Sequence, residues 1–313
     1  MTTLPTVRAA QLAQLQSSQP PWLIEGLWGK EAVGIIGGEP KCCKSFLALD
    51  LAVAVAAGTS CLRHFPLRQR GPVLLYAAED AAAIVRQRLE GIAHAAGVDF
   101  ASLDIHVITV PTLRLDRSEH QQALAATVAL VQPKLLALVR LHGIDENVAA
   151  EIAPLLAYLR TLQRNHHTAV ALVHHARKGA AHERGGQALR GSSDLHAWGD
   201  SNLYLRRHGQ NLQLSSEHRA APGLDRLPLA LKINPPALAL EVFTPPPPPV
   251  TEAGRPSPLD RIEQLLRQAT TALSQRQLRE QAHMRTCHVV DALAKLTESG
   301  RVIRSADGYR LNP

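Results

Sequence analysis

The sequence has few cysteines, few aromatic residues and no long apolar run. Its 313 residues include four cysteines and 4% aromatic side chains, and no stretch reaches the ~18–20 apolar residues of a membrane span. Two of the cysteines, Cys42 and Cys43, are adjacent, so a disulfide framework is not expected and a reducing compartment is. The first residues lack the apolar segment of a secretory signal. These absences predict a cytoplasmic protein with no membrane partner and a core of Leu, Val, Ile and Ala.

Charge and proline placement indicate how the chain is organised. Lys and Arg number 34 against 27 Asp and Glu, and the resulting charge of +7 permits a nucleic-acid partner without requiring one. Five consecutive prolines, Pro245–Pro249, form a stiff spacer that neither a helix nor a central strand can contain. We therefore predict a body (residues 1–243), a Pro-rich linker (residues 244–257) and a small tail (residues 258–313).

In the body, short apolar runs alternate with longer helical patterns. The runs have the length of buried parallel strands: Ala32–Ile36, Val73–Ala77, Ile105–Val110, Leu135–Leu138 and Val170–Val173. The segments between them are long enough for helices: Ser45–Ala57, Ala81–Ala96, His120–Val131 and Ala149–Asn165. After His175 the runs are shorter and joined by turns, which indicates antiparallel strands. The alternation predicts an α/β fold with a mainly parallel sheet covered on both faces.

The first of these strands leads into a candidate phosphate loop. Against the pattern G-x-x-x-x-G-K-[ST], Gly38, Lys44 and Ser45 are in place, and Cys43 stands where the second glycine belongs. Loop and helix N–H groups would face the phosphates, Lys44 would reach their oxygens, and Ser45 would bind Mg²⁺. The predicted nucleotide-binding residues are Gly38, Glu39, Pro40, Lys41, Cys42, Cys43, Lys44, Ser45 and Phe46. The alternatives are an accidental strand–turn–helix and a redox or metal role for the cysteine pair.

Polar residues follow two other predicted strands. Glu79 and Asp80 come after Val73–Ala77, where a carboxylate could orient or deprotonate a water; capping of the next helix is the alternative. His174 and His175 end the Val170–Val173 strand, where a side chain could contact a γ-phosphate or simply cap the strand.

The strand Leu135–Leu138 should supply the acid that orients Mg²⁺, but it has none. It continues into Val139 and Arg140, and the next carboxylates, Asp145 and Glu146, come several residues later. This is the largest departure from the pattern of a P-loop ATPase.

The tail reads as three helices and a hairpin. The segments Leu259–Arg267, Ser274–Gln281 and Arg285–Ser299 have helical patterns, and a turn near Gly308 joins two short strands. This outline matches a winged helix-turn-helix, in which Arg285, Arg301 and Arg304 could contact DNA. A small oligomerisation or interaction module is the alternative.

Over residues 20–242 the body resembles the RecA-fold ATPases of the RepA-like type, the hexameric replicative helicases of plasmids and mobile elements. The resemblance rests on the order of GGEPKCCKSFLALDLA, LLYAAED, RLHGIDEN, LVHHARKG and RGSSDLHAWGDSNLYL. It implies ATP and Mg²⁺ as cofactors, DNA as a partner and a hexameric ring. It also implies a role for each of four candidate catalytic residues: Glu79 as the carboxylate, His175 (or His174) as the γ-phosphate sensor, and Arg190 or Arg206 as an arginine finger.

The sequence departs from this family at two places. Cys43 replaces a glycine, and the family's Asp-Pro plus an apolar residue is missing after Leu138. Because phosphoryl transfer depends on metal and positioning, we expect nucleotide binding with weak hydrolysis. A non-hydrolysing nucleotide- and DNA-binding regulator of replication or recombination is the alternative; a small-molecule kinase is disfavoured, since no lid segment or acceptor site is recognisable.

Overall fold

The computed structural model describes residues 4, 6–9, 22–77, 80–139, 149–175, 193–208, 211–243, 257–269, 271–284, 286–305 and 307–312. The chain divides into two compact units, residues 1–244 and 245–313. Across the described ranges, none of the helices is both long enough and apolar enough to span a membrane.

The first unit contains eleven strands and five α-helices in its described part. The strands are β1 (Trp22–Ile24), β2 (Trp28–Gly29), β3 (Val33–Gly38), β4 (Val73–Ala77), β5 (Ile105–Ile108), β6 (Leu135–Val139), β7 (Ala169–His175), β8 (Ser201–His208), β9 (Asn211–His218), β10 (Leu227–Asn234) and β11 (Ala237–Val242). The helices are α1 (Lys44–Ala57), α2 (Ala82–Ala95), α3 (Ser118–Val131), α4 (Ala149–His166) and α5 (Ser193–Trp198).

Nine of these strands form one sheet, in the order β11-β10-β9-β8-β3-β7-β6-β4-β5. The strands from β8 to β5 are parallel, and β8, β9, β10 and β11 pair antiparallel. The predicted α/β class with a mainly parallel sheet is thereby confirmed, as is the change to antiparallel strands after His175. The strand β3 lies near the centre, between β8 and β7.

Each face of the sheet carries its own apolar core. On one face, α1 and α2 pack with side chains such as Ile36 and Leu205; on the other, α3, α4 and α5 pack with Val33, Ile35 and Tyr204. Successive residues of a strand point to opposite faces, so one strand serves both cores. This explains why the predicted strands read as continuous apolar runs.

A buried ion pair links α1 to the segment that follows it. The Asp50 side chain is 1% exposed; it accepts a hydrogen bond of 2.7 Å from the Leu62 amide and contacts the Arg63 guanidinium. Arg63 also donates to the Leu240 carbonyl of β11 at 2.5 Å. Burial raises the pKa of Asp50, and the Arg63 charge opposes that rise. Removal of either partner would leave a buried charge uncompensated, so the pair fixes the position of α1.

The backbone of β8 approaches β3 closely at two glycines. A Cβ on Gly34 would lie 1.7 Å from the Ser201 carbonyl oxygen, and one on Gly38 would lie 2.2 Å from that of Leu205. Side chains at the start of β8 also bind β3: Asn202 Oδ1 accepts from the Ile35 amide at 3.2 Å, and Asp200 Oδ2 accepts from the Val33 amide at 3.3 Å. Backbone pairing between the two strands and hydrogen bonds from these two side chains therefore hold β8 against β3.

The second unit contains α6 (Pro258–Gln268), α7 (Gln275–Ala282), α8 (Thr286–Glu298) and the antiparallel hairpin β12 (Val302–Ser305) and β13 (Gly308–Leu311). Ser257 and Ser274 form capping boxes at the starts of α6 and α7. The second unit has its own apolar core, built from side chains of all three helices and the hairpin: Ile262, Leu266, Leu278, Val289, Leu293, Leu296 and Val302. The predicted order of three helices and a hairpin is present.

We predict that Gly34→Ala lowers the free energy of unfolding by about 3 kcal/mol, because its methyl group must displace the β8 backbone. Chemical denaturation followed by circular dichroism measures the change.

Gly97→Ala is the control, because a Cβ there meets no atom within 4 Å and only the positive φ of 69° opposes it. It should cost about 1 kcal/mol. Equal losses in the two variants would contradict close packing at Gly34.

Candidate functional site

The loop between β3 and α1 forms a cradle at the carboxyl edge of the sheet. Lys44, the first residue of α1, is 4% exposed, and its Nζ donates to the carbonyls of Gly38 at 3.0 Å and Glu39 at 2.8 Å. The helix begins without a side-chain cap. An ammonium group beside the first N–H groups of a helix favours an anion, so the arrangement suits a phosphate chain.

Cys43 takes the backbone conformation for which the motif normally uses glycine. Its φ of 64° and ψ of 26° are left-handed, and it occupies the N-cap position of α1. For a residue with a Cβ this conformation costs ~1–2 kcal/mol. The structure thus accommodates the substitution in a conformation that glycine adopts freely.

The two adjacent thiols have different surroundings. Cys42 is fully buried, with Sγ 3.9 Å from Lys44 Nζ, and Cys43 is half-buried. Burial raises the pKa of both thiols, so both are protonated near neutral pH. In the described ranges no group of three His, Cys, Asp or Glu side chains could hold a metal ion. A metal role for the pair is therefore unsupported.

The ends of β7 and β6 lie beside the loop. In the parallel register Gly37 is opposite His174 and Gly38 is opposite His175, while Val139 pairs with Val173 and with Ala77. His174 is buried. The last residues of β7 thus reach the start of the phosphate loop, where the sequence predicted a sensor.

The structure describes some of the predicted site residues and leaves others outside the described part of the chain. Glu79 and Arg190 lie outside the described residues, as do Asp145 and Glu146. All five residues of β6 are apolar and buried, so the strand itself contributes no acid. Ser45 and Phe46, which follow Lys44 in α1, are half-buried. Of the described residues, Ser45 is the one that the motif offers to Mg²⁺.

Sequence reasoning missed Arg88. Its Nη1 lies 2.5 Å from Asp80 Oδ2, and its guanidinium stands over the Phe46 ring, 5.0 Å from the centroid. The N-cap of α2 is Ala81, with no side-chain cap, so the capping role considered for Asp80 is wrong. Asp80 instead anchors Arg88 beside the start of α1.

Sequence reasoning also missed Arg207, the neighbour of the predicted arginine finger Arg206. Leu203 and Leu205 pack on the α1 face of the sheet and Tyr204 on the opposite face. By this alternation Arg207 belongs to the α1 face, and its Nη2 donates to the Lys41 carbonyl at 3.2 Å. Arg206 belongs to the other face. The two-residue period of β8 is the signal that could have identified Arg207.

In the tail, Arg301 forms an ion pair with Glu263 of α6. Arg304 is exposed on β12, with its guanidinium 5.9 Å from the centroid of the Tyr309 ring. Arg285 lies outside the described residues. Of the three residues predicted to bind DNA, Arg304 is the one that the structure presents on the hairpin surface.

Comparisons with known proteins agree with this geometry. A family model described as an AAA domain matches residues 2–181. The RadB recombinase structure is 14% identical, with a TM-score of 0.48, and the match covers 69% of this chain and 92% of that one. A DnaB-like replicative helicase, from a structure that describes its interactions with primase, is 13% identical, with a TM-score of 0.50; the match covers 67% of this chain and 59% of the helicase. No curated protein matches. The fold is therefore similar to that of the DnaB-like replicative helicase, and the chain belongs to the AAA-domain family.

Proposed function

We propose that the protein is an ATP-binding DNA motor of the RepA-like helicase type whose hydrolysis is weak. The observation that carries this proposal is the cradle of Gly38, Cys43 and Lys44 between β3 and α1. It offers an uncapped helix N-terminus, a lysine ammonium and a loop in the conformation of the motif. These groups fit a nucleoside triphosphate.

The proposed roles of the other residues follow from their positions around this cradle. Ser45 and the phosphate oxygens would hold Mg²⁺, which keeps several waters and needs few protein ligands. Glu79 would orient the attacking water, and His175 or His174 would contact the γ-phosphate from the end of β7. In a hexameric ring Arg190 or Arg206 would act on the nucleotide of a neighbouring subunit.

Weak hydrolysis follows from the end of β6. Its five buried apolar residues end at Val139 and are followed by Arg140, and the sequence has no carboxylate before Asp145. A metal without a strand-borne acid is less firmly oriented, and phosphoryl transfer depends on that orientation. The same observation favours a second candidate, a nucleotide- and DNA-binding regulator of replication or recombination that does not hydrolyse ATP.

Lys44→Ala should weaken binding of a fluorescent ATP analogue at least roughly tenfold, because a charged hydrogen bond to phosphate is worth about 1.5 kcal/mol or more. Fluorescence anisotropy measures the affinity, and circular dichroism checks the fold. Lys30→Ala, which removes a half-exposed ammonium paired with Glu31, is the control and should bind normally. Equal affinity of Lys44→Ala and the wild-type chain would refute the phosphate cradle.

The wild-type chain should hydrolyse ATP more slowly than ~1 s⁻¹, the lower end of the common enzyme range. An Asp-Pro insertion after Leu138 should raise the rate, because it restores an acid at the end of β6. Steady-state phosphate release measures both rates. A wild-type rate of ~1 s⁻¹ or faster contradicts the proposal. A slow wild type with no gain on insertion favours the non-hydrolysing regulator.

For the tail we propose a winged helix that binds DNA. The order of α6, α7, α8 and the hairpin supports this proposal, together with the exposed Arg304 on β12. The ion pair with Glu263 makes Arg301 a weaker candidate for a phosphate contact, because binding would have to break that pair.

Arg304→Ala in the full chain should weaken binding to duplex DNA similarly for all sequences and lower the salt dependence of log K by about one unit. Anisotropy titrations at several salt concentrations measure both the affinity for DNA and its salt dependence. Arg267→Ala removes a positive charge from α6 that pairs with Glu263, and it should leave the salt slope unchanged. An unchanged slope in Arg304→Ala, with a changed particle mass, would favour the oligomerisation module.

A further inference from the structure

The phosphate loop holds two non-glycine residues in left-handed conformations. Lys41 has a φ of 65° and Cys43 a φ of 64°. Each conformation is one that glycine adopts freely and that a residue with a Cβ resists. A loop with two such residues in three positions needs contacts from outside to hold its shape.

Arg207 supplies contacts to both of these residues. Its Nη2 donates to the Lys41 carbonyl at 3.2 Å and lies 3.8 Å from the Cys43 sulfur, which can accept. The last paired residues of β3 and β8 are Gly38 and Leu205. Arg207 follows two residues later on the same face of β8, which places its side chain beside the loop.

We infer that Arg207 is a positioning residue that holds the phosphate loop in its binding conformation from within the same subunit, with the Lys41 carbonyl and the Cys43 thiol as its acceptors. This role differs from that of an arginine finger, which acts on a neighbour's nucleotide. The identity of the ligand as a nucleotide rests on the proposed function. The contact between Arg207 and the loop does not depend on it.

Hydrogen exchange of the loop amides reports on this contact without any nucleotide. In the Arg207→Gln variant of the full chain, the amides of residues 39–43 should exchange faster, because the loop loses the donor that holds the Lys41 carbonyl. Peptide mass spectrometry assigns the change to the loop.

Lys232→Gln is the matched control. Lys232 is exposed on β10, two strands from β8, so its removal lowers the net charge without touching the loop. Its loop amides should exchange at the wild-type rate. Unchanged exchange of the loop amides in Arg207→Gln would overturn the contact.

Binding of a fluorescent ATP analogue tests the positioning role. Arg207→Gln should weaken binding roughly three- to tenfold, the range expected for a lost hydrogen bond. In a Lys41→Gly/Cys43→Gly background the same change should cost less than about twofold, because glycine takes both left-handed conformations without support. An equal loss of affinity in the wild-type and glycine backgrounds would overturn the positioning role of Arg207.

Two outcomes separate this inference from the proposed function. If the wild-type chain binds no nucleotide, the proposed function fails, and hydrogen exchange of the loop amides still decides whether Arg207 contacts the loop. If Arg207→Gln binds the analogue normally but hydrolyses ATP more slowly, Arg207 acts on the reaction instead, and the positioning role is overturned.

Discussion

The close approach of β8 to β3 is the constraint on which the rest of the body depends. Carbonyl oxygens of Ser201 and Leu205 occupy the space that a Cβ would need at residues 34 and 38, so both positions require glycine. The contact lies between the parallel strands and the antiparallel β9, β10 and β11, and it joins them into one sheet. It also determines how far β8 extends past the last pair with β3, and therefore which of its side chains reach the phosphate loop.

The site follows from where parallel strands end. Because β3, β7, β6, β4 and β8 run in the same direction, their carboxyl ends meet at one edge, and loops there share a ligand. At this edge β3 contributes the loop with Lys44, β7 the histidine pair and β8 Arg207. Within α1, the buried ion pair of Asp50 with Arg63 fixes the helix, so its N-terminus is held in place before any ligand binds.

The sequence predicted what depends on local pattern. The strands, the alternating helices and the cradle of Gly38 and Lys44 follow from apolar runs and motif spacing, which are properties of neighbouring residues. Contacts between distant segments did not follow: Arg88 over Phe46 joins α2 to α1, and Arg207 joins β8 to the loop across more than 160 residues. The period of β8 separates the faces of Arg206 and Arg207, but which of the two reaches the loop depends on the register of β8 relative to β3, and that register is a tertiary property.

The lysine ammonium at the loop bears on the proposal that the protein binds ATP but hydrolyses it slowly. Lys44 donates to loop carbonyls, and it can turn toward phosphate oxygens at little cost because it exchanges one acceptor for another. Contacts of this kind stabilise bound ATP and its transition state alike, so they lower the dissociation constant without raising the turnover rate. Turnover needs a group whose interaction strengthens as the phosphoryl group leaves. The acid that would orient the metal for this purpose is the one that β6 does not supply.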